Sequence, residues 1–185
     1  MKQAFNSEVL NMPAPCTRNK ILKNNYMTFL KQLHVVAFIG IALFVGSCKK
    51  SVKDTETDNL TTSISKIQVN KQVKWIVILP GLGCHGCIQE GEAFMKKYVQ
   101  NSRILFVLTK ISSLKILQQK IGVQIKNYPN VYVDNDNSFN IHTDNSIYPC
   151  IVRIEDGKVI EHEFQSPKNG AAFYNLRSKI IKEEQ

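Results

Sequence analysis

Residues 73–87, VKWIVILPGLGCHGC, hold the stretch from which the fold is read. Residues 73–79 are a mostly apolar, β-branched run of strand length, stopped by Pro80-Gly81, and a run of that kind is buried on both faces. Cys84 and Cys87 follow at once. Behind them, residues 87–101 (CIQEGEAFMKKYVQN) set Ile88, Phe94, Met95, Tyr98 and Val99 roughly on one helical face, in spite of Gly91. The pattern predicts a strand that hands over to a helix starting at the CxxC.

Working towards the C-terminus, residues 103–109 (RILFVLT) repeat the buried-strand pattern. Residues 112–121 (SSLKILQQKI) repeat the helical one, with Ser112 or Ser113 as cap and Gly122 as stop. A β-α-β-α succession of this kind implies parallel strands joined by crossover helices. Residues 130–134 (NVYVD) read as a short strand, and the turn-forming stretch 134–146 after it as an insertion. Residues 150–164 (CIVRIEDGKVIEHEF) alternate on either side of Asp156-Gly157, which signals an antiparallel hairpin. A last amphipathic helix, about residues 170–182, is expected to turn Phe173, Leu176, Ile180 and Ile181 to the core.

The chain has 185 residues, 43% hydrophobic and 21% charged, which suits one globular domain with appendages. Its net charge of +9 includes Lys2, Arg18, Lys20, Lys23 and Lys31 near the N-terminus, and what remains is mildly basic. No aromatic-spaced basic stripe or zinc-finger spacing occurs, so the charge argues against a nucleic-acid partner. Five cysteines, at 16, 48, 84, 87 and 150, are too few and too unevenly spaced for a disulfide-stapled scaffold.

Residues 35–45 (VVAFIGIALFV) form an apolar run preceded by Lys31 and followed by Gly46 and Ser47, the anatomy of a signal peptide. A transmembrane helix needs about 20 apolar residues, and this run is close to half that. The tetrapeptide Val45-Gly46-Ser47-Cys48 resembles the bacterial lipobox, which implies cleavage before Cys48 and lipidation of that residue. The alternative is ordinary secretory cleavage with Cys48 incidental. Residues 1–26 are polar and carry Pro13 and Pro15, so translation is expected to start at Met27, giving a signal of 27–47. An extended signal n-region gives the same mature chain. The polar stretch 48–72 reads as a flexible tether and 73–185 as the domain.

A strand, a CxxC at a helix start, a further β-α pair, a Pro-led hairpin and a final helix together resemble the thioredoxin fold. The likeness is to the membrane-anchored thioredoxin-like and redoxin-type proteins of bacterial envelopes and covers about residues 73–185. It implies an α/β thioredoxin-like domain with a central mixed β-sheet flanked by helices. It also implies a cis-proline beside the disulfide, for which Tyr148-Pro149 stands in the right place. Pro129, also preceded by Tyr, competes, but the hairpin follows Pro149. The sequence departs from the family in three places: Gly83 replaces the tryptophan before the first cysteine, His85-Gly86 replaces Gly-Pro, and Ile78 replaces a buried acid. Water, Glu90 or His85 is left to take the proton of the second thiol, while Glu90 and Glu92 otherwise read as surface helix stabilisers.

Two cysteines three apart at a helix start suffice for thiol-disulfide exchange: one attacks, a mixed disulfide forms, the other resolves it. Cys84 at the helix cap is the expected nucleophile and Cys87 the resolving thiol, with Pro149 beside them and His85 and Tyr148 modulating. No organic cofactor is called for, since the Cys84–Cys87 disulfide is itself the reactive group. Expected partners are thiols and disulfides of exported proteins, an electron-transfer partner, and the membrane through the lipid, with the domain facing the periplasm or exterior. Zinc wants four ligands, and one CxxC with His142 and His162 on other segments does not supply them, although copper(I) accepts two thiolates. Cys150 reads as a buried strand cysteine. The rival functions are a surface lipoprotein that uses the fold to bind a metal or a protein, and a permanently oxidised structural staple.

Overall fold

The computed structural model describes residues 50–183, so the expected signal peptide at 27–47, the start at Met27 and the lipid-bearing Cys48 lie outside the described residues. Strands β1 (Trp75–Pro80), β2 (Ile104–Thr109), β3 (Val131–Asp134), β4 (Cys150–Glu155) and β5 (Lys158–Phe164) form one sheet in the order β3-β2-β1-β4-β5. Strand β1 is central, parallel to β2 and antiparallel to β4; β2 and β3 are parallel, β4 and β5 antiparallel. Helices α1 (Val52–Ile64), α2 (His85–Tyr98), α3 (Leu114–Ile121) and α4 (Ala172–Lys182) flank it. The protein is therefore an α/β domain with a five-stranded mixed sheet.

Every residue of β1 and β2 is buried, because the sheet is covered on both faces. Side chains alternate between two cores. Trp75, Val77, Leu79, Ile104, Phe106, Leu108 and Ile151 meet Phe94 and Met95 of α2, Leu117 and Ile121 of α3, and Phe173, Leu176 and Ile180 of α4. Ile76, Ile78, Leu105, Val107, Cys150, Val152 and Ile154 meet Leu60 and Ile64 of α1 together with Phe139 and Ile141.

That second core corrects the tether reading. Ser51 begins α1 with a reciprocal cap, its hydroxyl accepting from the Asp54 amide at 3.1 Å while its own amide donates to the Asp54 carboxylate at 3.3 Å. The buried stripe of α1 is Glu56, Leu60, Ser63 and Ile64, spaced i, i+4, i+7, i+8. Two of its four members are polar, so the periodicity does not show in hydropathy, and their partners lie elsewhere in the chain. Residues 52–64 are thus part of the folded body, and 48–72 is not a flexible tether throughout.

Local signals account for most other boundaries. Ser113 caps α3 by accepting from the Ile116 amide, and Gly122 ends it at φ 68°. The β4–β5 hairpin turns on Asp156 and Gly157 at φ 49° and 76°, the two-residue turn in which both central residues are left-handed. Gly91 lets α2 lie close on β1, since a Cβ there would stand 2.5 Å from Leu79 Cδ2. One helix residue departs from expectation: Ile181 is 47% exposed, and the core face of α4 is Phe173, Leu176 and Ile180. The inserted stretch after β3 is anchored rather than ornamental, with Phe139 and Ile141 in the second core.

Candidate functional site

Strand β1 ends at Pro80, where the Gly81 amide donates to Thr109 O of β2 at 2.8 Å and fixes the exit of the chain. Gly83 follows at φ 146°, where a Cβ would stand 2.1 Å from the carbonyl oxygen of Ile147, so no other residue fits without displacing backbone. The next amide, that of Cys84, donates to the same Ile147 oxygen at 3.0 Å. The segment 143–149 is thereby stitched against the cysteine loop.

Cys84 is the N-cap of α2 and is disulfide-bonded to Cys87. Its carbonyl accepts the first helical bond from Ile88 at 2.9 Å, and its side chain makes no capping bond. Cys84 is half-buried, whereas Cys87, facing into the domain, is 7% exposed. Lys96 and Lys97 lie in the last turn of α2, where positive charge agrees with the helix dipole, while its first turn carries no acid. His85 is exposed beside the pair.

Pro149 is fully buried and its carbonyl accepts from the Gln165 amide at 2.9 Å, which places it between the cysteine loop and the end of β5. The expected cis bond at Tyr148-Pro149 is not found: no peptide bond among the described residues is cis. The Tyr148 amide donates to Asn145 O at 3.0 Å, closing the short turn Asp144–Ile147, and this packed turn presents the Ile147 carbonyl to Cys84 with Pro149 in the common trans form.

The two acids of α2 are not both surface residues. Glu92 is buried and paired with Lys120 of α3 at 2.6 Å. Glu90 is exposed but accepts from Gln165 Nε2, whose own side chain is buried and also donates to Gly170 O at 3.0 Å. Leu82, two residues before Cys84, is 62% exposed, and Ile147, whose carbonyl accepts from the Cys84 amide, is 43% exposed. A groove of about 190 Å³ opens between α2 and α3, lined in part by Gly81, Ile88, Ile111, Ile116 and Lys120.

Behind the segment 143–149 lies a polar cluster that sequence reading missed. Glu56 of α1, almost wholly buried, accepts from Thr143 Oγ1 at 2.7 Å and Asn145 Nδ2 at 2.8 Å, and its second oxygen lies 3.1 Å from Nε2 of buried His162 on β5. Burial alone would raise this carboxyl, but the bonds from Thr143, His162 and Asn145 outweigh it and hold it below its ordinary 4.5. Asp134 is similar: burial is overcome by donors from the Phe139 and Ser138 amides and the Thr109 and Ser138 hydroxyls, which lower it from 3.8. The Ser51-x-x-Asp54 pair marks the start of α1, but nothing local in the sequence marks the cluster itself.

Cys150 is a free thiol with no exposed surface, and burial, then the charges of Glu56 and Glu163, push its titration well up. Among the described residues no three His, Cys, Asp or Glu side chains gather as a metal would require, and no helix is long and apolar enough to cross a membrane. His142 is exposed, and His162 is engaged by Glu56.

Fold and site together define an α/β domain with a disulfide at the N-terminus of the helix that follows its central strand. No family model matches the chain, and no curated protein or solved structure matches it either.

Proposed function

We propose that this chain is a thiol-disulfide oxidoreductase built on a thioredoxin-like domain, acting through Cys84 and Cys87 on exported proteins and held at a bacterial envelope membrane by a lipid on Cys48. One observation carries the reading: a disulfide at a helix N-terminus whose outer sulfur belongs to a half-buried residue and whose inner one belongs to a buried residue. The mixed sheet, with the pair at the exit of its central strand, is compatible with the thioredoxin-like fold.

In the reduced protein the positive end of α2 favours a thiolate at Cys84. That thiolate attacks one sulfur of a substrate disulfide, forming a mixed disulfide and releasing the substrate's other sulfur as a thiolate. Cys87 then attacks Cys84 Sγ, expelling the second substrate thiolate and restoring the Cys84–Cys87 bond. Two electrons have passed to the substrate, and a thiol donor returns them to the pair. Glu90, one turn beyond Cys87 and held by Gln165, takes the resolving proton in place of the acid that Ile78 displaces. His85, when protonated, adds positive charge beside Cys84. Tyr148 borders the pair with buried Pro149 behind it, and the exposed Leu82 and Ile147 give an apolar rim for a protein substrate.

Cys87→Ala leaves the nucleophile without its resolving partner and should accumulate Cys84-linked adducts. Cells expressing it are lysed in acid to stop exchange and examined on non-reducing gels, with Cys84→Ala as control. Should neither variant differ from the unmodified chain, the redox reading gives way to that of a binding module.

A further inference from the structure

Helix α1 does more than cover the second face of the sheet. A continuous path runs from its buried carboxylate to the disulfide: Glu56 Oε1 accepts from the side chains of Thr143 and Asn145. Those residues open the turn Asp144–Ile147, itself closed by Ser146 N to Thr143 O and Tyr148 N to Asn145 O, both 3.0 Å. The turn ends on the Ile147 carbonyl that accepts from the Cys84 amide. His162 and the Thr57 hydroxyl, 3.5 Å from its Nδ1, hold the other end of the carboxylate pair in place.

We propose that Glu56 is a positioning residue for the Cys84–Cys87 pair, acting through residues 143–147; the inference rests on the redox reading above. The physical effect has a sign. Opening the disulfide places a thiolate at the start of α2, where free amides stabilise it. The Ile147 carbonyl occupies one of those amides, that of Cys84, and turns its negative end towards the same region. Holding the turn in place therefore disfavours the reduced form, and releasing it frees the amide and withdraws the carbonyl.

The experiment is the redox equilibrium of the full chain with reduced and oxidised glutathione, with thiolate absorbance followed against pH. Glu56→Ala, and the double variant Thr143→Val with Asn145→Ala that leaves the buried Glu56–His162 pair intact, should both move the equilibrium towards the reduced pair. The expected shift is roughly three- to tenfold, the size one net hydrogen bond carries. Thr143→Ser, which keeps the donor, should restore the original value. Circular dichroism identifies folded variants, and if Glu56→Ala does not fold the double variant decides alone. A folded double variant within about twofold of the unmodified chain overturns the inference while leaving the redox reading standing. A pair in the unmodified chain that does not exchange with glutathione at all overturns both.

Discussion

Gly83, just before Cys84, and Gly86, just before Cys87, should respond to alanine in opposite ways. At Gly83 the backbone sits at φ 146°, a conformation that costs an L-residue on the order of 1–3 kcal/mol. The new Cβ would also stand 2.1 Å from a backbone oxygen, which cannot swing aside as a side chain can. Ile147 must move, and the 3.0 Å bond from the Cys84 amide goes with it, a loss of about 0.5–1.5 kcal/mol. Together these put Gly83→Ala at about 1.5–4.5 kcal/mol destabilising. At Gly86, inside α2, nothing lies within 4 Å of the added atom and the residue is exposed, so Gly86→Ala should be neutral or stabilising by up to about 1 kcal/mol. Urea unfolding of the oxidised protein measures both. With a slope of about 1–3 kcal/mol/M, Gly83→Ala should lower the midpoint by about 0.5 M or more, and Gly86→Ala should leave it or raise it. Equal midpoints for the two variants would refute the claim that the Ile147 carbonyl is packed against the cysteine loop.

Two further outcomes follow from the second core and the buried acids. Leu60→Ala should cost about 2–5 kcal/mol in thermal or urea unfolding, as for any buried leucine, whereas Val52→Ala on the exposed side of the same helix should fall within about 0.5 kcal/mol of the unmodified chain; equal, small effects would mean that α1 is not docked. Glu56 and Asp134 are both held below their ordinary values, so each contributes stability that is full above the unfolded value and is lost as pH falls through the lower folded one. Unfolding midpoints should therefore decline as pH drops below about 4.5, and Asp134→Asn should be weaker at neutral pH with a shallower acid limb.

The strands and helices around the CxxC were legible because burial on both faces leaves an unbroken apolar run, and because Ser113, Gly122 and Asp156-Gly157 are local punctuation whose meaning does not depend on the rest of the chain. The disulfide pair could be placed at the helix start for the same reason. Helix α1 was not legible, since half of its buried stripe is Glu56 and Ser63. A buried polar residue reads as solvent-facing until its partners are known, and the partners of Glu56 lie some ninety residues or more away. Ile181 failed differently: on a helix the edge of an apolar stripe is set by how far the neighbouring strand reaches, which periodicity does not contain. The peptide geometry at Pro149 was inferred from resemblance alone, and local sequence held nothing to decide it.

The capped start of α1 has a consequence for reach. Between Cys48 and the capping residue Ser51 there are three peptide links, which span at most about 11 Å when fully extended. A twenty-five-residue leash would have let the domain roam roughly 25–30 Å from its point of attachment. If a lipid sits on Cys48, the folded body begins almost at the headgroups, and Cys84 can stand no farther from the bilayer than the width of the domain plus that short link. Its partners would then be those that come to the bilayer surface, such as chains just emerging from it or other anchored proteins.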